Sequence, residues 1–211
     1  IVACGAGGGV YVDEEGIVAR SHVANCSAGL NGAGIYLYNT DNTRPEYLQL
    51  STCVVSNNTA RGNAAVYCDR GGICVQNTIV NNLVTSATDM AGTQPSRTAG
   101  VYADEYALVV NSVLWNNDQA GNKAQMYAQN STSSKVRFMN CGISNMNSSV
   151  WNNVFQQDLV SLGDANSGDA DGITPEFVYP DVPVGGCPGT GNESFVATRG
   201  VQDDWKEIKY H

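Results

Sequence analysis

The sequence predicts an all-β chain: a right-handed parallel β-helix of about five coils with an irregular C-terminal tail. Three observations predict it. An opening segment with a central tyrosine returns five times, as Gly9-Val10-Tyr11-Val12, Gly34-Ile35-Tyr36-Leu37, Ala65-Val66-Tyr67-Cys68, Gly100-Val101-Tyr102-Ala103 and Gln125-Met126-Tyr127-Ala128. A closing segment with a central asparagine alternates with it, as Val23-Ala24-Asn25-Cys26, Val55-Ser56-Asn57-Asn58, Ile79-Val80-Asn81-Asn82, Leu114-Trp115-Asn116-Asn117 and Ile143-Ser144-Asn145-Met146. Within these runs apolar residues alternate with period two, and no helical stripe of useful length precedes residue 150. The tyrosines stand 25, 31, 35 and 25 residues apart. A variable repeat of short strands and polar turns suits one coil per repeat. Coils stack at about 4.8 Å, so five make a core about 24 Å long.

Taken in order, Ile1-Val2-Ala3-Cys4 reads as the end of a preceding closing segment. The chain is therefore expected to begin mid-repeat, as a piece of a longer, processed precursor. The coils are expected to fill residues 1–153. The unit is clearest at 96–117, where small residues lead to Tyr102, Asp104-Glu105 form an acidic turn, and a β-rich run ends at Asn116-Asn117. Repeat length varies in the polar stretches 39–46 and 85–97. Residues 154–211 are expected to form an irregular capping tail on the helix side or its C-terminal end, because an open coil leaves strand edges unpaired.

Composition narrows the function. Of 211 residues 42% are hydrophobic, enough for a core, and the net charge is −9 with eleven Lys plus Arg. No basic stripe is available for a nucleic-acid partner or an anionic membrane surface. No apolar run reaches the roughly 18–20 residues of a spanning helix, so no transmembrane segment is expected. Seven cysteines and two histidines show no zinc spacing. Cys53 and Cys141 hold one repeat position and read as small apolar filler. Cys68 and Cys74 flank a short turn across which they could pair, and the odd total rules out a complete disulfide framework.

The asparagines Asn25, Asn57, Asn81, Asn116 and Asn145 each lie two residues after an inward aliphatic. By period two they face inward, where amide side chains can bond one another and turn backbone as a ladder. The alternative is that asparagine merely tolerates the left-handed conformation of a turn.

Three stretches are candidate sites. By the same alternation Tyr11, Tyr36, Tyr67, Tyr102 and Tyr127 form an outward column, an aromatic strip suited to a sugar face. The alternative is a stacked structural column, or one covered by the tail with Trp151, Phe155, Phe177 and Trp205. An acidic column follows the same strand at Asp13-Glu14-Glu15, Asp69 and Asp104-Glu105. Asp69 and Asp104, in adjacent coils about 5 Å apart, could act as a carboxylate pair or hold Ca2+. Asp164, Asn166, Asp169 and Asp171 offer alternating oxygens to a metal, again Ca2+, although an Asx-rich turn explains them too. His22 has Ser21 beside it, but neighbours in a strand face opposite sides and make no dyad.

The glycine-led Val/Ile-Tyr opening and the Asn-Asn close resemble right-handed β-helix proteins of the pectate-lyase-like superfamily. They are similar to polymorphic-outer-membrane-type repeats and to secreted β-helix proteins of gut Bacteroidetes. The likeness covers residues 1–153, and 158–177 resembles a closing segment of that bacterial group. It implies the fold, and a place at the outer-membrane surface of a Gram-negative bacterium or outside the cell. Gln125 in place of the small residue departs from the pattern, as does the lack of clustered Asp with Arg and Lys that a lyase carries. The expected function is non-enzymatic, adhesin-like binding of a polysaccharide or of a host or bacterial surface glycan. The chain would act as a monomer within a larger chain. No cofactor is expected, with Ca2+ the one that the acidic clusters suit. The alternative is a polysaccharide lyase or glycoside hydrolase using Asp69 and Asp104, which needs a base such as Arg70, Arg97, Lys123 or Arg137. A third class is a spacer without a ligand.

Overall fold

The computed structural model describes residues 2–3, 5–40, 48–86, 88, 98–129, 136–144, 155–157 and 160–161. Its strands are short because each ends at a corner of a coil. The first full coil runs β2 (Val10–Asp13), β3 (Gly16–Ala19), β4 (His22–Ala24) and β5 (Ser27–Ala28), after β1 (Val2–Ala3). The second runs β6 (Ile35–Tyr38), β7 (Leu48–Ser51), β8 (Val54–Ser56) and β9 (Thr59–Ala60). The third runs β10 (Val66–Asp69), β11 (Ile73–Val75), β12 (Thr78–Val80) and β13 (Leu83–Val84). The fourth runs β14 (Val101–Ala103), β15 (Leu108–Val110), β16 (Val113–Trp115) and β17 (Asp118–Gln119), with β18 (Asn122–Lys123) after it. A fifth has β19 (Met126–Ala128), β20 (Arg137–Met139) and β21 (Gly142–Ile143), followed by β22 (Phe155–Gln157) and β23 (Val160–Ser161).

Each strand pairs with its counterparts one coil away, so the coils make four walls. Wall I is β2-β6-β10-β14-β19, wall II β3-β7-β11-β15-β20-β22, wall III β4-β8-β12-β16-β21-β23, and wall IV β1-β5-β9-β13-β17-β18. All pairings are parallel except β17 with β18. This is a parallel β-helix. Stacking continues to β23 in walls II and III. The rest of the expected tail lies outside the described residues.

One left-handed residue turns the chain at most corners. Arg20, Thr52, Gln76, Asn111 and Asn140 turn wall II into wall III; Asn25, Asn57, Asn81 and Asn116 turn wall III into wall IV; Gly7, Gly32 and Ala64 turn wall IV into wall I. Asparagine and glycine suit this conformation at the lowest steric cost. Such a residue also shifts the alternation by one. Inward positions run 50, 53, 55, 58, 60 in the second coil and 74, 77, 79, 82, 84 in the third, all buried. Their spacing alternates three and two.

That shift corrects the expected asparagine ladder. Asn25, Asn57, Asn81 and Asn116 are the left-handed corner residues, exposed or half-buried, and Asn145 lies outside the described residues. The buried ladder stands one residue on, at Asn58, Asn82 and Asn117. The Oδ1 of Asn58 accepts from the Cys26 amide at 3.0 Å. The Oδ1 of Asn82 accepts from the Asn58 backbone and side-chain amides at 2.9 and 3.0 Å. Asn117 serves Asn82 in the same way at 3.1 and 2.8 Å. Each Nδ2 also donates to a carbonyl of the neighbouring coil: Val23, Val55 or Ile79. Gln125 closes the ladder, its Oε1 accepting from the Asn117 backbone and side-chain amides. Among the outer asparagines, Asn116 donates to Asn81 at 2.7 Å.

The core fills the interior between the walls with Ile35, Leu37, Leu48, Leu50, Val55, Ile79, Val109, Leu114 and Phe138, all fully buried. Cys53 and Cys141 are buried in it, each thiol donating to a strand carbonyl, of Ser51 and Met139. Cys53 and Cys141 thus fill the core positions expected of them.

Candidate functional site

Wall I carries the outward tyrosines. Its register sets Tyr11, Tyr36, Tyr67, Tyr102 and Tyr127 opposite one another. Parallel strands bring equivalent side chains within stacking reach. Ring centroids are 5.3 Å apart for Tyr11–Tyr36, 5.0 Å for Tyr36–Tyr67 and 4.4 Å for Tyr67–Tyr102, with planes within 7°. Tyr127 closes the row at 5.2 Å, tilted by 34°. The inner rings therefore spend their faces on each other. Tyr102 is only 7% exposed, whereas Tyr11 is 50% exposed. Edges and hydroxyls, together with the Tyr11 ring, are what a ligand would meet.

A second outward row runs beside the first, two residues further along each strand. Asp13, Tyr38 and Asp69 are in register. Asp104 follows, its amide bonded to the Cys68 carbonyl, and then Gln129, its amide bonded to the Ala103 carbonyl. The acidic column thus includes a tyrosine and ends in a glutamine. Tyr38 and Gln129 were legible from the sequence, since each stands two residues after a column tyrosine as the aspartates do. Tyr38 lies 6.5 Å from both Tyr11 and Tyr36, so these three rings form a cluster.

The two rows are tied together. The Tyr36 hydroxyl donates to Asp69 Oδ2 at 2.6 Å, and the Tyr102 hydroxyl bonds Gln129 Oε1. Burial, then the Asp69 bond, pushes the Tyr36 hydroxyl far above its ordinary pKa. Burial does the same to Tyr67, with neighbouring tyrosines adding to it. These phenols stay neutral donors at any physiological pH. Asp104 is pushed up to about 6, chiefly by burial and against the Glu105 amide bond, with the Glu105 and Asp69 charges adding and Arg70 opposing. A carboxyl at that value exchanges its proton near neutrality.

Asp69 and Asp104 therefore face the same way in adjacent coils, as expected. Arg70, exposed, is a candidate base whose charge reaches Asp104. Arg137 is exposed in wall II, in register with Leu108, away from the rows. Arg97 and the Lys123 side chain lie outside the described residues, as do Asp164, Asn166, Asp169 and Asp171. Among the described residues no group of three or more His, Cys, Asp or Glu side chains is placed to hold a metal ion. No helix among them is long and apolar enough to cross a membrane.

Sequence reasoning missed one pair. His22 Nε2 and Ser56 Oγ, from adjacent coils on wall III, share a hydrogen bond of 2.8 Å. Ser56 is fully buried, so its hydroxyl is not presented to a substrate, and burial lowers the His22 pKa. The signal would have been the coil register, not the neighbour Ser21.

No family model, curated protein or solved structure matches this chain.

Proposed function

We propose that this chain is a non-enzymatic binding rod of the pectate-lyase-like kind. It would present wall I to a polysaccharide or a host or bacterial surface glycan, at the outer-membrane surface of a Gram-negative bacterium or outside the cell. The observation that carries the reading is the double row itself: stacked tyrosines beside Asp13, Tyr38, Asp69, Asp104 and Gln129. An extended polymer along the rod axis would meet the same pair of positions in every coil. Its hydroxyls would find carboxylate and amide acceptors, and its apolar C–H face the exposed Tyr11 ring and the Tyr38 cluster. Pre-stacking fixes the rings before binding, so little side-chain entropy is lost. In this reading the rod acts as a monomer within a larger chain, and Ca2+ could bridge wall I carboxylates to an acidic glycan.

The test is a glycan array with the wild type and a Tyr11→Ala/Tyr38→Ala variant, chosen because the inner rings hold the stack. Binding by the wild type that falls at least tenfold in a variant of unchanged melting temperature supports the proposal. No binding by either leaves a spacer.

A second reading, a glycoside hydrolase or polysaccharide lyase, is favoured by one observation. Asp104, pushed up to about 6, stands in the same outward row as Asp69, whose Oδ2 accepts from the Tyr36 hydroxyl, so a carboxyl that exchanges its proton near neutrality has a second carboxyl one coil away. Release of reducing ends or unsaturated products from any bound polymer, abolished by Asp104→Asn, would establish it and sink the non-enzymatic one.

A further inference from the structure

Inside wall I, behind Asp69, the third coil carries a cysteine pair that the binding reading does not use. Cys68 ends the inward row of β10, and Cys74 is the inward residue of β11. Both are fully buried and free, with their sulfurs 3.6 Å apart. The coil register shows what they replace. Cys68 aligns with Val12, Leu37, Ala103 and Ala128, and Cys74 with Val18, Leu50, Val109 and Phe138. Val12–Val18 and Ala103–Val109 span the same six residues as Cys68–Cys74. Every other coil fills this corner with an apolar pair; the third alone has thiol at both places. The turn between them is also distinct. Arg70, Gly71 and Gly72 all have positive φ, at 61°, 120° and 117°, and the two glycines allow a tight reversal that L side chains disfavour. The other described thiols behave otherwise: Cys26, Cys53 and Cys141 donate to strand carbonyls two residues back.

We infer that Cys68 and Cys74 are a disulfide site, closed while the chain folds in an oxidising compartment, that staples wall I to wall II in the third coil. A thiolate of one cysteine attacks a small-molecule disulfide such as oxidised glutathione, releasing one glutathione thiolate. The second cysteine then attacks the mixed disulfide and releases the other. The two protein thiols lose two protons and two electrons, and the glutathione disulfide is reduced to two thiols. The sulfurs need to close by about 1.6 Å to reach the usual S–S length near 2.0 Å, within the reach of side-chain rotation. Because both are buried, exchange happens before the coil closes, and afterwards the folded core shields the bond from reductants. The hydrogen bond between the thiols and the burial of Cys74 raise the Cys74 pKa, so in the folded chain Cys74 stays a thiol.

Tryptic mapping tests this, because Arg70 lies between the two cysteines. Cleavage at Arg61, Arg70 and Arg97 puts Cys68 in peptide 62–70 and Cys74 in peptide 71–97. The reduced full chain is refolded in a glutathione redox buffer, alkylated under denaturing conditions and digested. The expected result is a 62–70/71–97 cross-linked species that disappears on reduction. The oxidised protein should melt several degrees above protein refolded under dithiothreitol. A Cys68→Val/Cys74→Val variant, restoring the apolar pair of the first coil, should fold and lose that difference. Complete alkylation of both peptides in folded, oxidised protein would overturn the inference, as would a cross-link joining either to another cysteine. A melting difference that persists in the valine variant would overturn the stapling role. None of these outcomes bears on glycan binding, so the two readings fail separately.

Discussion

Asn82 does more for this fold than Asn81, though they are neighbours of one type. The Asn82 amide accepts twice from Asn58 and donates to Asn117 and to the Val55 carbonyl. Truncation leaves several buried groups without partners, each costing about 1–3 kcal/mol. Asn82→Ala should therefore destabilise by about 3 kcal/mol in urea unfolding. Asn81 is the left-handed corner, with φ 55° and one lateral bond from Asn116. Asn81→Gly should stay within about 1 kcal/mol of wild type, because glycine takes that conformation freely. Equal losses would show that the ladder does not run through the inner asparagine. Asp104 carries the second prediction at this scale. Its pKa is raised in the fold, to about 6, first by burial. The folded state thus holds the proton more tightly than the unfolded chain. Its stabilising effect is fully present below the unfolded pKa near 4 and lost as pH rises through 6. Asp104→Asn should make stability flatter between pH 4 and 7 and raise it at pH 7 by about 1 kcal/mol, after discounting for a half-exposed group. Thermal melts across that range decide it; a parallel shift of both proteins' curves would contradict it.

At the scale of the strand and corner, what was legible in the sequence depended on where the backbone stays extended. Wall I strands β2, β6 and β10 run four residues without a turn, so period two placed Tyr11, Tyr36 and Tyr67 outward without error. The asparagines sit across a corner, where one left-handed residue resets the alternation, and a strict period of two put them on the wrong side. The repeated Asn-Asn doublet at 57–58, 81–82 and 116–117 held the answer: one amide for the turn, one for the interior. The tyrosine column was readable, and so was stacking as one of its alternatives; what period two could not decide between them, coil spacing does, by bringing the rings into face-to-face contact. The small residue before the first four tyrosine strands, Gly9, Gly34, Ala65 and Gly100, has a reason of the same scale. A Cβ on Gly100 would collide with the backbone carbonyl of Gln125 in the next coil, and lie 3.2 Å from Asn117 Nδ2. Gly100→Ala should cost about 3 kcal/mol by denaturant unfolding, since backbone cannot yield as a flexible side chain can. Gly5→Ala, where nothing stands within 4 Å, is the matched control and should be near neutral.

Across the whole molecule every described strand but β17 and β18 pairs only with its counterparts in the coils before and after it, as in other stacked-repeat folds. Stability is then a chain of local agreements, and the two outward rows of wall I exist only as long as successive coils stay in phase. Segments of different length between strands leave that phase intact. Residues 41–47, for example, separate β6 from β7, yet Ile73↔Gln49 and Val66↔Ile35 keep register. The four walls do not end together. Walls II and III continue to β22 and β23, whereas wall IV turns back on itself, β18 pairing antiparallel with β17. In the language of crystal growth, a stack of parallel strands is a template whose last row recruits the next, and a solenoid that offered all four rows in phase would invite end-to-end addition of identical units. A reversed strand is a poisoned step on such a surface: its hydrogen-bonding pattern is that of the wrong polymorph. The backward turn at residues 120–121 thus ends wall IV in a reversed strand, and a copy of the parallel unit set against it would meet an antiparallel hydrogen-bond pattern instead of its own.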